Sequence, residues 1–141
     1  RSFLNAMQGF GLTPDVHFLR VGNYRISGGE KAMAELLELK NRPTAIVTVN
    51  DLTAIGALRI IRKQGFAVPG DFSIVGFDDI ELSDIVYPPL TTLRLPRQEL
   101  ARKFVDALEA FVPDPLRAGK QYKIGTSLVV RSSTGLVKKR K

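Results

Sequence analysis

The alternation of apolar and polar positions along the chain predicts helices and strands that follow one another in turn. Apolar residues recur at helical spacing over 2–10, 30–40 and 52–64, and a glycine or proline follows each of these stretches. Short apolar runs predict strands over 16–21, 45–49 and 73–77. Because strands that alternate with helices imply crossover connections, we predict an α/β fold with a mostly parallel sheet flanked by helices.

The pattern changes after the third strand. Two adjacent prolines, Pro88 and Pro89, predict an extended crossing segment over 87–92, because proline does not fit inside a helix. Pro96 is suited to the start of a helix, and an apolar face follows from Leu100 to Phe111. A last short strand is predicted over 127–131.

Composition places the chain among ordinary globular domains. Of the 141 residues 44% are hydrophobic and 25% are charged, which suits one domain or one lobe of a larger protein. The chain has no cysteine and no apolar run as long as a membrane span. Its first residues read like the middle of a helix, so we expect a piece of a longer protein.

The formal charge of +7 is unevenly distributed, since the last four residues are all lysine or arginine. We expect 135–141 to be a disordered basic tail. A nucleic-acid-binding arm is the alternative, but the tail has no aromatic residues on which bases could stack.

Polar residues gather where the predicted strands end. Ligands of open parallel sheets bind outside the carboxyl ends of the strands, where the loops 22–24, 50–51 and 78–79 are expected. Asp51, Asp78 and Asp79 could form an acidic Mg²⁺ site of a phosphoryl-transfer domain, although no phosphate-handling partner is evident. Asp78, Asn50 and Tyr24 could instead bind a sugar or nucleoside. Taken singly, Asp78 and Asn50 are more often helix caps.

Other catalytic signatures are weak. The chain lacks a G-x-S-x-G motif, and Gly9-Phe10-Gly11 lacks the rest of a dinucleotide fingerprint. His17 is the one histidine and falls within a predicted strand, so we interpret it as structural. We therefore expect no catalytic residue, no metal and no cofactor.

Four runs in register resemble the LacI/GalR-type bacterial transcription regulators. They are PTAI at 43–46 with NDLTAIGAL at 50–58, GFAVPGDFSIVGFDD at 65–79, PPLTT at 88–92 and LVVRSST at 128–134. Together they cover roughly the last two thirds of the chain. The resemblance implies a periplasmic-binding-protein-like sensor of two lobes, with an N-terminal helix-turn-helix headpiece elsewhere in the protein.

The resemblance also implies how the chain is divided. Residues 1–90 and 123–134 would form the C-terminal lobe, and 91–122 would be the crossing segment and a helix that packs on the absent first lobe. The implied function is that of a cytoplasmic repressor lobe without catalysis, membrane or cofactor, which senses a small polar effector. Operator DNA would be bound only through the headpiece.

The resemblance also implies roles for individual residues of this chain. The resemblance implies that Asp78, Asn50 and Tyr24 bind the effector, and that Asp79 caps or closes the lobe. A family arginine that normally contacts the effector would precede Arg1.

The resemblance further implies a symmetric homodimer seam that contains Ile55, Leu58, Val86 and Tyr87. Two other functions stay open. One is a secreted or periplasmic sugar-binding protein of the same fold, and the other, less favoured, is the Mg²⁺-dependent phosphoryl-transfer domain.

Overall fold

The computed structural model describes residues 2–13, 15–113 and 120–136. Of the tail 135–141 that was predicted to be disordered, residues 137–141 lie outside the described residues. Gly135 is described, and its backbone N–H donates to the Ser73 hydroxyl oxygen at 3.1 Å, so the prediction is wrong for this residue. The described elements, in chain order, are α1 Ser2–Gly9, a 3₁₀ helix Val16–Phe18, α2 Ile26–Leu37, β1 Ala45–Val47, α3 Asp51–Lys63, β2 Ser73–Asp78, α4 Leu82–Ile85, β3 Thr91–Arg94, α5 Arg97–Phe111 and β4 Ser127–Val129. None of these helices is both long and apolar enough to cross a membrane.

One sheet organises the described residues. Its strand order is β1-β2-β3-β4; β1 and β2 are parallel, β2 and β3 are parallel, and β4 is antiparallel to β3. The predicted α/β class with a mostly parallel sheet is confirmed. The segment after the two prolines is extended, as predicted, and its continuation Thr91–Arg94 pairs with the carboxyl half of β2.

Helices α2 and α3 pack on each other at very short distance. A side chain at Gly56 of α3 would place its Cβ 2.0 Å from the carbonyl oxygen of Ile26, and one at Gly29 of α2 would lie 2.1 Å from that of Thr53. Glycine is therefore required at both contacts. Beneath the two helices lies the buried core, which contains Met33, Leu36, Ala54, Ala57, Leu58, Ile61, Phe72, Ile74 and Leu90.

The predicted strand over 16–21 is wrong. Val16–Phe18 is a 3₁₀ helix, and the Asp15 side chain accepts a hydrogen bond from the backbone N–H of His17 at 2.8 Å. The Arg20 guanidinium donates to the backbone oxygens of His17 and Leu19. The side chains of Asp15 and Arg20 thus satisfy backbone groups that a strand would pair with a neighbour.

Helix boundaries differ little from the predicted ones, except in α2, which starts four residues and ends three residues earlier than predicted. The helix predicted over 52–64 is Asp51–Lys63, and the one over 30–40 is Ile26–Leu37. The earlier start of α2 includes Gly28 and Gly29, whose low helix propensity argued against a helix there. Close packing against α3 outweighs that local cost.

Two of the four proposed seam residues need correction. Ile55 and Leu58 are 7% and 3% exposed, so residues of the same chain bury both side chains. Val86 is half-buried and packs against the core, whereas Tyr87 is 73% exposed. Ile55 and Leu58 therefore do not offer a surface to a partner.

Helix α5 is exposed along its apolar side. None of its residues is buried, and Phe104, Leu108 and Phe111 are each more than half exposed. The apolar face predicted from the sequence exists, and the described part of the chain leaves it uncovered.

Candidate functional site

The candidate site lies at the carboxyl ends of the two parallel strands β1 and β2. Asn50 follows β1 and Asp78 ends β2, so the parallel register places both at the same edge of the sheet. Tyr24 lies in the loop before α2 and joins them through a hydrogen bond: Asn50 Nδ2 donates to the Tyr24 backbone oxygen at 3.2 Å. The sequence-predicted trio therefore belongs to one rim.

Asn50 is the N-cap of α3, so the capping interpretation is confirmed. Its Oδ1 accepts from the backbone N–H of Thr53 at 3.0 Å and from the Thr53 hydroxyl at 2.6 Å. Because Nδ2 already donates to the Tyr24 backbone, the amide has one hydrogen left for a ligand. Any binding role of Asn50 is thus limited to donation.

Tyr24 presents its ring at the surface. Tyr24 is 65% exposed. Its backbone φ is 57°, and the φ of the preceding residue, Asn23, is 50°. Two consecutive non-glycine residues in the left-handed region are unusual, and such conformations concentrate at functional sites. The hydrogen bond from Asn50 helps to hold this loop.

Asp78 is half-buried at the rim, with a backbone φ of 113°. Within residues 2–13, 15–113 and 120–136 its carboxylate accepts no hydrogen bond. Burial raises the pKa of Asp78, the negative charge of Asp51 raises it further, and the Arg97 guanidinium partly offsets both. The described residues therefore leave the acceptor capacity of the Asp78 carboxylate unused.

Asp79 is fully engaged by arginines. Arg94 Nε donates to its Oδ2, Arg131 Nη2 donates to its Oδ1 at 2.8 Å, and the side chain is only 9% exposed. Burial alone would raise the pKa of Asp79, but the hydrogen bonds and charges of these two arginines lower it. Asp79 thus acts as an ion-pair centre rather than as a helix cap.

Asp51 points inward, away from the rim. It is fully buried and accepts hydrogen bonds from the backbone N–H of Ile80 at 2.9 Å and from the hydroxyls of Ser83 and Thr92 at 2.6 Å each. Both of its oxygens are occupied, which argues against the Mg²⁺ interpretation. No group of three acidic or histidine residues with metal-binding spacing occurs in the part of the chain that the structure describes.

Three arginines near the site were not anticipated. Arg97 Nη2 donates to the backbone oxygen of Asp79 at 2.9 Å. Arg131 also donates to the Leu90 oxygen and pairs with Asp84. The only signal in the sequence was an arginine within the otherwise apolar run 128–131, because a buried charge requires a partner.

Comparison with known proteins identifies the family. Residues 1–134 match the model of the periplasmic binding protein-like domain. The repressor CytR of Escherichia coli K12 is 39% identical over 103 residues, which are 73% of this chain and 30% of CytR. The ribose operon repressor of the same organism is 32% identical over 133 residues, or 94% of this chain and 38% of the repressor.

A solved structure agrees with these relatives. The transcriptional regulator CelR in complex with cellobiose superposes with a TM-score of 0.85 at 27% identity, covering 93% of this chain and 40% of that one. The chain thus spans about a third of the length of the two repressors. The relatives are transcriptional repressors, which are not enzymes. The chain belongs to the periplasmic binding protein-like domain family, and its relatives there are repressors and regulators of the LacI type.

Proposed function

We propose that this chain is the effector-sensing and dimerisation lobe of a LacI-type transcriptional repressor of the cytoplasm. The observation that carries the proposal is the Asp78 carboxylate, half-buried at the rim and without a hydrogen-bond partner among the described residues. The carboxylates of Asp51 and Asp79 beside it are saturated. A carboxylate that keeps its lone pairs can accept hydrogen bonds from the vicinal hydroxyls of a sugar or nucleoside.

Tyr24 and Asn50 complete the proposed binding rim. The exposed Tyr24 ring offers a face on which a sugar or base can stack, and Asn50 offers its remaining amide hydrogen. Two of the compared proteins carry sugars in their names, ribose for the operon repressor and cellobiose for the CelR complex. We infer from these that the effector is sugar-like or nucleoside-like.

Effector binding would control DNA binding through a population shift. A ligand held between this lobe and a second lobe favours one of two lobe arrangements, and that preference changes how a headpiece is placed on operator DNA. Operator DNA is therefore a partner of the longer protein, through a headpiece outside this chain. A lobe that senses in this way requires neither cofactor nor metal.

The division of the chain follows from the same proposal. Residues 1–90 and 123–134 form the sensing lobe. Thr91–Arg94, predicted as part of the crossing segment, belongs to this lobe as well, because β3 pairs with β2 and β4 inside its sheet. Residues 95–122 cross towards a second lobe, and 135–141 are the basic tail. The uncovered apolar face of α5 supports this division, because such a face is usually covered in a complete protein.

The proposed homodimer seam lies around Tyr87. Ile85 and Tyr87 are 69% and 73% exposed, and Val86 between them anchors the segment to the core. Arg62 of α3 holds Tyr87 in place, since its guanidinium lies 5.2 Å from the ring centroid and donates to the Tyr87 backbone oxygen at 3.1 Å.

Asp78→Asn tests the proposed site. Calorimetric titration with D-ribose, cellobiose and common nucleosides, on the longer parent protein, would first identify a ligand. We expect Asp78→Asn to weaken its binding by on the order of 1.5–3 kcal/mol, because one charge-assisted hydrogen bond is lost. Asp106→Asn, on the exposed surface of α5, is the matched control. An affinity that Asp78→Asn leaves unchanged would remove Asp78 from the site.

A further inference from the structure

The buried carboxylate of Asp51 is anchored to both sides of the Asp78 turn. Its Oδ2 accepts from the backbone N–H of Ile80, two residues after Asp78, at 2.9 Å. Its Oδ1 lies so close to Gly76, two residues before Asp78, that a Cβ there would be 2.1 Å away. One side chain thus contacts the chain immediately before and immediately after the turn.

Two hydroxyl groups extend this anchor to the neighbouring elements. The Ser83 hydroxyl of α4 and the Thr92 hydroxyl of β3 each donate to Asp51 at 2.6 Å, and both residues are fully buried. Thr92 is also the register partner of Gly76 across the β2–β3 pair. Asp51 therefore joins the start of α3, the end of β2, α4 and β3 at a single buried point.

The turn itself is conformationally costly. Asp78 and Asp79 have φ values of 113° and 52°, a region that non-glycine residues rarely occupy and that persists only where the surroundings hold it. Arg97 donates to the Asp79 backbone oxygen from an exposed position. The contacts of Asp51 are buried or part-buried, and they are made to a backbone N–H and to two short hydroxyl side chains.

We propose that Asp51 is a positioning residue, which fixes the backbone of the segment 78–83 and thereby presents the Asp78 carboxylate at the rim. Asp51 does not itself contact a ligand, since its carboxylate is fully buried. The proposal rests on the proposed effector site for its functional meaning. Whether Asp51 fixes the backbone of this segment can be tested without any ligand.

The experiment is amide hydrogen exchange, resolved by residue, on the chain and on Asp51→Asn. Asparagine keeps the shape of the side chain but removes the charge and replaces one acceptor oxygen by an NH₂ group. We expect the Ile80 amide and its neighbours within 79–83 to exchange about tenfold faster or more, because the bond to a charged acceptor is weakened. Amides of β1 and of the first half of β2 should change much less.

The matched control is Asp71→Asn at the opposite end of β2. Asp71 Oδ2 accepts from the backbone N–H of Ala67 at 2.8 Å, the same type of bond between an aspartate and the backbone. Asp71→Asn should leave the exchange of Ile80 as it is in the unchanged chain. A selective change at 79–83 in Asp51→Asn alone supports the proposal.

Thr92→Val keeps the test decisive if Asp51→Asn does not fold. Valine preserves the shape of Thr92 and removes only the hydroxyl that donates to Asp51, so we expect a smaller increase in exchange confined to the same segment. Unchanged exchange at Ile80 in the variants that fold would overturn the proposal. An equal increase at every amide would also overturn it, since it would indicate a general loss of stability.

A second measurement separates this proposal from the proposed effector site. The D-ribose, cellobiose and nucleoside panel is titrated against the parent protein and its Asp51→Asn variant. If the parent binds none of these ligands while the amides of 79–83 exchange faster in Asp51→Asn, the proposal of a sugar or nucleoside effector fails. The proposal that Asp51 positions the segment then stands. If a ligand binds equally to parent and variant, Asp51 does not position Asp78 for it, and that part of the proposal is overturned.

Discussion

At the scale of single residues, three aspartates near one rim differ entirely in their partners. Asp51 is saturated by neutral donors, Asp79 by two arginines, and Asp78 by no group among the described residues. All three lie near the carboxyl ends of the strands, as predicted, because Asp51 follows β1 and Asp78 and Asp79 stand at the end of β2. The predicted joint Mg²⁺ site is not supported, since Asp51 points inward. Their separate roles could not be predicted, because they depend on Thr92, Arg94 and Arg131, which are distant in sequence.

The ion-pair centre at Asp79 predicts a specific dependence of stability on pH. The folded-state pKa of Asp79 is lowered, so its contribution to the free energy of unfolding is present above the unfolded pKa of about 3.9. That contribution is lost as the pH falls through the lower folded-state value. We therefore expect Asp79→Asn to reduce the free energy of unfolding at pH 7, and the difference from the unchanged chain to shrink below about pH 4.

Urea unfolding from pH 7 down to pH 3 measures this difference directly. Asp106→Asn again serves as the control, because its pair with Lys103 is exposed on α5 and such pairs contribute little. A difference between Asp79→Asn and the unchanged chain that stays constant down to pH 3 would show that the arginine pairs do not stabilise the fold through the charge of Asp79.

At the scale of elements, the helices, the sheet class and the strands predicted over 45–49, 73–77 and 127–131 are all present, whereas the strand predicted over 16–21 is wrong and β3 was predicted only as an extended segment. Helix α3 lies within one residue of its prediction because its apolar spacing, its Asn50 cap and Gly65 after it all agree. The stretch 16–21 shows the opposite case. Its apolar residues suit a strand, but a strand also needs a neighbour to pair with, and that requirement is invisible in local sequence.

The glycine contacts between α2 and α3 predict a large effect of a small substitution. In Gly56→Ala the new methyl group would meet the Ile26 carbonyl oxygen at 2.0 Å and the Glu30 backbone nitrogen at 2.9 Å. Since both contacts are backbone, the two helices must move apart. We expect a loss of about 1–3 kcal/mol in the free energy of unfolding, although alanine is the better helix former.

Gly9→Ala is the matched control for this substitution. Gly9 is the last residue of α1, and nothing lies within 4 Å of the position its Cβ would occupy. Gly9→Ala should leave the free energy of unfolding of the chain unchanged or increase it slightly. Chemical denaturation of both variants measures the contrast, and a Gly56→Ala protein as stable as Gly9→Ala would contradict the close helix contact.

At the scale of the whole molecule, two of the exposed apolar regions on the described surface bear on association. One is the face of α5 with Phe104, Leu108 and Phe111, and the other is the segment with Ile85 and Tyr87. Contiguous apolar patches above a few hundred Å² are uncommon on monomers. The two regions differ in origin, because the proposed lobe boundary exposes the first and the proposed homodimer seam exposes the second.

These surfaces predict that the chain associates in solution at micromolar concentration. A two-fold seam uses the same patch on both copies, so one substitution acts twice. Light scattering should report a dimer or a larger assembly. Tyr87→Asp should lower the assembled mass if the seam is correct, because it buries a charge on each side. Leu108→Glu should lower it only if α5 takes part, for example by exchange between chains.

Comparison of the two variants distinguishes an association through the Tyr87 segment from one through α5. Tyr87 is a better position than Val86 for this substitution, because Val86 packs against the core and a charge there would also destabilise the monomer. Glu109→Gln, at an exposed position of α5, controls for a change of charge on that helix. A monomeric mass for the unchanged chain would contradict the prediction of association. An assembly that Tyr87→Asp leaves intact and Leu108→Glu disperses would place the contact on α5, and the proposed seam would then be wrong.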